Sequence, residues 1–386
     1  MTAASGTSDD EPDPAEAARP DDVIRQPDDI APDKADGESG AARQVTPEGE
    51  TTSMDAPDPA PRKRAALVYN PIKVTPDRLR ALVTDLSAAA DWAEPIFFET
   101  TVDDLGDDVT RQALEEGVDA VLVAGGDGTV RAVSEAMAGT GTPLTIVPSG
   151  TGNLLARNLN LPLNDPEPMV AATFAGDTHP VDIGFADIRR ADGTRNRHAF
   201  VVMAGIGLDA AMIANTNSQL KKAVGWVAYV DGAARSLATA KAFRVMYQMK
   251  ERRLHSAKVQ SVLFANCGAL PAGISLIPEA SVADGLLDVA IIQPTGAFGW
   301  LGVWRKVWWD NSVLRRFRAG RRVLERRGRD SSVRYLQGEG IELATQPAQP
   351  IELDGDEFGE AVRIRCTIDR GALLIVVPDG HDTSSL

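Results

Sequence analysis

The chain has 386 residues, 43% of them hydrophobic and 25% charged, which is enough length for two packed domains. Its formal charge of −15 sits mostly in residues 1–61, where sixteen Asp or Glu and nine Pro face four Lys or Arg, a net of −12 with no aromatic residue. Such a composition predicts a disordered acidic tail, leaves the rest near −3, and gives no reason to expect a nucleic-acid partner.

From residue 65 the pattern alternates. An apolar strand at 65–69 is followed by Asn70-Pro71, then by a helix with Thr75 as cap, Pro76 in its first turn, and Leu79, Leu82, Val83 and Leu86 on one face. A strand at 95–99 and a helix near 107–116 lead to the buried-strand pattern Val121-Leu122-Val123-Ala124. That strand runs directly into Gly125-Gly126-Asp127-Gly128-Thr129, and Val130, Val133 and Met137 then mark one face of a helix. Glycines let backbone amides approach an anion closely, and the positive end of the helix points at the same place. Asp127 beside such an anion is suited to holding Mg²⁺. A second apolar strand at 143–147 ends in Pro148-Ser149-Gly150-Thr151-Gly152-Asn153 before a short helix at 154–159. Two phosphate-type loops after neighbouring strands predict a nucleotide site at the C-terminal edge of a parallel sheet.

After residue 182 helical periodicity gives way to strands at 183–189, 198–204, 243–250, 258–266, 287–292, 341–345, 350–353 and 361–368, a second and mainly antiparallel domain. Cys267 and Cys366 lie in apolar strand surroundings and read as buried free thiols. Neither a basic-apolar leader nor an apolar run of about 18 residues is present, so a cytoplasmic location is expected.

The two loops, together with Asn70-Pro71, Val181-Asp182-Ile183-Gly184, Gly205-Ile206-Gly207-Leu208-Asp209-Ala210, Asp284-Gly285-Leu286-Leu287-Asp288-Val289 and Leu353-Asp354-Gly355-Asp356, make the sequence resemble the diacylglycerol kinase catalytic family, which includes sphingosine and ceramide kinases. GGDGT by itself also occurs in NAD kinases and phosphofructokinases; the ordered set is the more specific signal. The resemblance implies an α/β fold: an N-terminal parallel α/β nucleotide-binding domain at 62–182, and a mainly antiparallel β-sandwich lipid-substrate domain at 183–368. The C-terminal segment, about 369–380, returns to the first domain.

By the same resemblance, ATP is held by Asn70, Pro71, Ile72, Lys73 and Val74, by Thr100, by Gly125, Gly126, Asp127, Gly128, Thr129, Val130, Arg131 and Ala132, and by Gly150, Thr151, Gly152 and Asn153. The chain has Ile72-Lys73-Val74 where the family carries a small residue and Gly, so Lys73 is either a phosphate contact or a solvated charge. A structural Mg²⁺ is implied at Asp284 with backbone oxygens of Ser281 and Leu286, an oxygen-only set suited to a hard cation. Asp356 and Asp354 are the implied catalytic carboxylates, with Asp356 as proton acceptor. The family reads Asp-Gly-Glu there, and since Glu357 follows at once, either Asp356 or Glu357 can be the base. Gly205-Ile206-Gly207 is expected to be a turn placing Asp209 near the interdomain cleft.

Residues 300–333 carry four of the six tryptophans, Trp300, Trp304, Trp308 and Trp309, and a net charge of +7. Tryptophan with clustered arginine favours an anionic membrane surface, so peripheral association with the inner face of the membrane is expected. The expected activity is ATP- and Mg²⁺-dependent phosphorylation of diacylglycerol or another lipid alcohol in the membrane, with homodimerisation left open. The rivals are an NAD kinase and a non-catalytic membrane-surface module with a degraded kinase site.

Overall fold

The computed structural model describes residues 61–207, 242–250, 252–270, 274–275, 277, 280–293 and 333–383. The acidic tail, the Trp/Arg segment up to residue 332, and Leu208, Asp209 and Ala210 lie outside the described residues.

Strand β1 (Ala65–Tyr69) is buried throughout, and its Thr75-Pro76 exit opens helix α1 (Pro76–Ala89). Thr75 has the extended backbone of an N-cap but makes no side-chain capping bond, so Pro76 and Asp77 define that start instead. Leu79 and Val83 are buried, with Leu82 and Leu86 packed at the edge of the same core. Then come β2 (Ile96–Glu99), α2 (Asp107–Glu115), β3 (Ala120–Gly125), α3 (Asp127–Met137), β4 (Pro143–Pro148), α4 (Leu154–Asn158) and α5 (Glu167–Ala175).

The strands run parallel in the order β2-β1-β3-β4. Chain connections leave β1 in one direction and β3 in the other, and right-handed crossovers therefore put α1 on one face and α2 and α3 on the opposite one. The crevice of an open α/β sheet falls where that direction reverses, between β1 and β3. There the Asn70 amide donates to the Ala124 carbonyl at 2.8 Å. Helix α5 had no sequence-based counterpart. Its residues Met169, Val170, Ala172 and Thr173 are all buried, so it shows no one-sided period, and Pro168 in its first turn reads as a loop.

The remaining strands are antiparallel: β5 (Asp177–Arg189), β6 (Arg195–Phe200), β7 (Met203–Ile206), β8 (Phe243–Met249), β9 (His255–Val259), β10 (Ser261–Ala265), the short pair β11 (Ala269–Leu270) and β12 (Ile274–Ser275), β13 (Leu287–Ile292), β14 (Val333–Gly338), β15 (Gly340–Leu353) and β16 (Asp356–Val377). They surround a second core that includes Phe200, Val245, Phe264, Val289, Leu343 and Ile364. The strands expected at 198–204 and 258–266 are each broken, at Val201-Val202 and at Gln260. Conversely, 341–345 joins 350–353 in β15, and 361–368 joins the C-terminal segment in β16.

Strand β16 ties the two halves together. Its first half pairs with β15, a register shift falls between Asp369 and Leu373 in its pairing with β5, and Leu374 and Ile375 then lie parallel to Pro143 and Leu144 of β4. Asp356 is thus delivered to the α/β half by the same strand that completes its sheet.

Candidate active site

The loop after β3 turns at Gly126, the N-cap of α3, which has no side-chain cap. Its first amides are left for an external acceptor. Glycine leaves close approaches at three neighbouring points. A Cβ at Gly125 would lie 2.6 Å from Thr129, one at Gly152 would lie 2.2 Å from the Asp127 carboxylate, and one at Gly128 would lie 2.7 Å from Asp356 Oδ2. These contacts bring together three segments that are far apart in sequence.

Asp127 Oδ1 accepts the Leu154 amide at 2.6 Å, which fastens the first loop to the start of α4. Asn153, at φ +48°, closes the second loop by accepting the Gly150 amide and donating to the Gly150 carbonyl, both at 2.9 Å. Burial raises the Asp127 carboxyl above its ordinary value, its bonds to backbone amides pull it down, and the nearby Asp356 charge adds to the rise. Two carboxylates facing one glycine loop form a place where a cation is favoured. Thr151 is exposed at the tip of the second loop.

On the β1 side, Asn70 Oδ1 accepts the Ile72 amide at 3.0 Å, giving a tight turn that leaves Ile72 and Lys73 exposed and Pro71 and Val74 half-buried. Thr100, just after β2, is buried with its hydroxyl lacking a hydrogen-bond partner. An orphaned buried hydroxyl at the strands' C-terminal edge fits a ligand donor or acceptor there.

The sequence left the base open between Asp356 and Glu357, and the two side chains have different surroundings. Asp356 faces the glycine loop, with Oδ2 buried, without a hydrogen-bond partner, and 3.7 Å from Arg131 Nη2. Glu357 is exposed, opposite Glu352 in the β15–β16 ladder. Arg131, from the second turn of α3, is nearly buried. It lies 3.6 Å from Glu135 Oε2, and its guanidinium stacks over the Phe358 ring at 4.7 Å. Burial pushes the Glu135 carboxyl up, but His198, the Ala199 amide and Arg131 outweigh it and hold the group below its ordinary value. Thr129, Val130 and Ala132 are buried in the body of α3, so a phosphate group would meet their backbone end of the helix and not their side chains.

Asp354 has a different surrounding. At φ +50° and buried, it accepts the Val201 amide at 2.8 Å, the Val202 amide at 2.9 Å and the Met203 amide at 2.8 Å. Burial pushes its carboxyl up to about 6, against the pull of those three amides. Its oxygens are engaged in holding the β6–β7 junction, a positioning task distinct from the direct chemistry expected of it.

At the Asp284 turn, Asp284 Oδ1 accepts the Leu286 amide at 2.9 Å, and Ser281 Oγ accepts the Ala283 amide at 3.3 Å. Burial raises the Asp284 carboxyl, with the Asp182 charge adding to the rise. The oxygen-rich turn is of the right donor type for a hard cation, although the Arg370 guanidinium already donates to the Asp284 carbonyl at 2.8 Å. Among the described residues no three His, Cys, Asp or Glu side chains converge on a metal position. An open cavity of about 710 Å³ adjoins this turn, lined by Gly285, Leu286, Arg365 and Arg370 among others.

Sequence reasoning missed Asp182, Glu135, His198 and Phe358. Asp182 accepts the Gly285 amide at 2.6 Å and the Gly371 amide at 2.7 Å, joining the Asp284 turn to the irregular stretch of β16. Its presence inside the Val181-Asp182-Ile183-Gly184 motif was an available signal. The spacing of Glu135 four residues after Arg131 was another.

Comparison with known proteins agrees with this architecture. Residues 64–186 match the diacylglycerol kinase catalytic domain, and residues 201–377 match the YegS C-terminal NAD kinase beta sandwich-like domain. The chain is 30% identical over 276 residues to a "Probable lipid kinase YegS-like" of Pseudomonas aeruginosa, covering 70% of this chain and 81% of that protein. It is 30% identical over 183 residues to a "Diacylglycerol kinase" of Mycobacterium tuberculosis, covering 47% of this chain and 57% of that protein. The match to an uncharacterised Synechocystis protein likewise spans little more than half of that relative, 54%. A crystal structure named as a diacylglycerol kinase from Bacillus anthracis superposes with a TM-score of 0.58 at 18% identity, covering 83% of this chain and 98% of that one, a likeness of fold.

Proposed function

The chain belongs to the diacylglycerol kinase catalytic family, a family of kinases, and from that premise we propose that it transfers the γ-phosphoryl group of ATP to the hydroxyl of a lipid alcohol, with diacylglycerol as the default acceptor. The observation that carries this reading is the meeting of the β3–α3 glycine loop, the second loop and the Asp356 carboxylate within contact distance of one another.

ATP supplies the phosphoryl group, and Mg²⁺ would offset the charge that builds up on it. The open amides at the start of α3 and the second loop would cradle the phosphates, and Asn70 and the buried Thr100 hydroxyl would line the nucleoside side. Asp127 and Asp356 supply two carboxylates next to that cradle, a charge a bound cation would offset. Asp356 would take the proton of the acceptor hydroxyl, since its Oδ2 faces the loop with no hydrogen-bond partner and only the Arg131 charge nearby. Arg131, held by Glu135 and Phe358, would keep that carboxylate aimed at the loop. We also propose a structural Mg²⁺ at Asp284 with the Ser281 and Leu286 carbonyl oxygens, and peripheral contact with the membrane that contains the substrate. Among the described residues, no helix is long and apolar enough to cross a membrane.

Purified full-length chain incubated with labelled ATP and diacylglycerol should give one labelled lipid phosphate, and the same assay with NAD⁺ as acceptor should give none. Label on NAD⁺ alone would replace this reading by the NAD kinase one. ATP binding without transfer to any lipid would favour the non-catalytic module.

A further inference from the structure

The outer face of the β-rich sheet carries cations in direct cross-strand register. Arg363 on β16 lies opposite Arg189 on β5, and Arg189 lies opposite Arg195 on β6. Beyond β15, Arg244 on β8 lies opposite Lys258 on β9. Ala344 of β15 pairs with both Met246 and Arg363, and Met246 shares a face with Arg244, so the two sets lie on one side of the sheet.

Arg365 and Arg197 belong to the same face, where Asp187, Glu342 and Asp369 are the opposing charges, and all of these side chains are exposed. Glu342 pairs with Arg363 at 3.0 Å and Asp369 with Arg197 at 3.3 Å. Among the described residues, no carboxylate lies within ion-pair distance of Arg189, Arg195, Arg244 or Lys258. Like charges directly opposite across strands destabilise a sheet. Arg189 and Arg195, in register with Arg363, and the separate Arg244–Lys258 pair are therefore a repulsion that none of these ion pairs offsets.

We propose that this face docks the protein on an anionic phospholipid bilayer, a role that rests on the lipid-kinase reading. Six adjoining strands about 4.8 Å apart make a surface roughly 25 Å wide, broad enough for a bilayer. Met246, half exposed on the same face, adds an apolar contact. None of the face's exposed residues named above is an aromatic on which bases could stack, and single-stranded nucleic acid binding draws much of its affinity from such stacking.

The test is co-sedimentation of the full-length protein with phosphatidylcholine vesicles, with and without phosphatidylglycerol. Each basic side chain near an anionic leaflet strengthens binding roughly five-fold, so the combined variant R189Q/R195Q/R244Q/K258Q should bind phosphatidylglycerol vesicles at least about 10²-fold more weakly. The matching Lys variant, R189K/R195K/R244K, should bind like wild type. Should the Gln variant fail to fold, Arg195→Glu alone decides, with an expected loss of at least about ten-fold. Turnover on short-chain diacylglycerol dissolved as monomer should be unchanged in the folded variants. Equal vesicle binding by wild type and the neutralised variants, equal loss on the monomeric substrate, or tighter binding to single-stranded RNA than to the vesicles overturns the proposal. Charge-independent vesicle binding together with lipid phosphorylation sinks only the docking face. Phosphatidylglycerol-dependent binding with no phosphorylation of any lipid removes the reading on which it rests.

Discussion

Asp356 and Asp354 differ by two positions and by opposite surroundings. The first faces the glycine loop with an oxygen that accepts no hydrogen bond, and the second is saturated by three amides. Asp356→Asn should lower kcat by on the order of 10²–10⁴ with little change in the KM for ATP, while Glu357→Gln stays close to wild type. A large loss confined to the Glu357 variant would reverse the assignment. Asp354 should act through stability. Its folded carboxyl, near 6, lies above the ordinary unfolded value, so the folded state binds more protons between those limits. Stability due to this group therefore rises as pH falls through 6 and levels off below about 4. Relative to Asp354→Asn, which has no such titration, wild type should gain about 1 kcal/mol of unfolding free energy between pH 7 and pH 5. A difference that does not vary with pH in urea titrations would mean that the three amides outweigh burial. The resemblance named Asp356 as proton acceptor, with Glu357 as the other possible base, but not the part Asp354 plays, because Leu353-Asp354-Gly355-Asp356 does not say which side chain turns toward the Val201 to Met203 amides.

At the scale of elements, the βα units around the two loops were legible because strand, glycine turn and helix face follow one another within a few residues. The strands of the second domain were less so. Continuity in β15 and β16 depends on pairing with β7, β8, β4 and β5, which come from distant regions of the chain, and local pattern cannot register it. Proline at 347 and 350 reads as a strand breaker, yet β15 carries both at its register shift, where ladder bonds are interrupted anyway. The loops also yield a sharper test than their glycine content suggested. Gly152→Ala places a methyl carbon 2.2 Å from Asp127 Oδ2, which must shift, and the carboxylate that Leu154 holds through Oδ1 is displaced with it. Turnover should fall at least about ten-fold with a small change in Tm, since the core of the sheet is untouched. Gly139→Ala is the control: it has open space around it but a φ of +74°, so it should cost stability and leave turnover intact. If Gly152→Ala retains full turnover, the closeness of the two loops has no role in catalysis.

For the whole molecule, β16, with β5 beside it, runs through both the α/β half and the β-rich half, and the glycine loop and Asp356, the proposed base, come from different halves. Residues 1–61 precede β1 and carry −12. Removing them should leave the Tm and phosphoryl transfer unchanged, as expected of a composition so poor in apolar and rich in acidic residues. If the tail competes with membrane for basic surface, truncation should tighten binding to anionic vesicles most clearly at low salt, where the screening length is longest. Unchanged affinity there would count against the competition. The central claim, phosphoryl transfer to a lipid at a site built from Asp127 and Asp356, is tested most directly by one assay. Full-length wild type, Asp127→Ala and Asp356→Asn are each incubated with γ-labelled ATP, Mg²⁺ and extracted total lipid, and the labelled product is identified by mass. The account predicts a labelled lipid phosphate with wild type and almost none with either folded variant. It would be contradicted by wild type that labels no lipid, or by variants that label it at the wild-type rate.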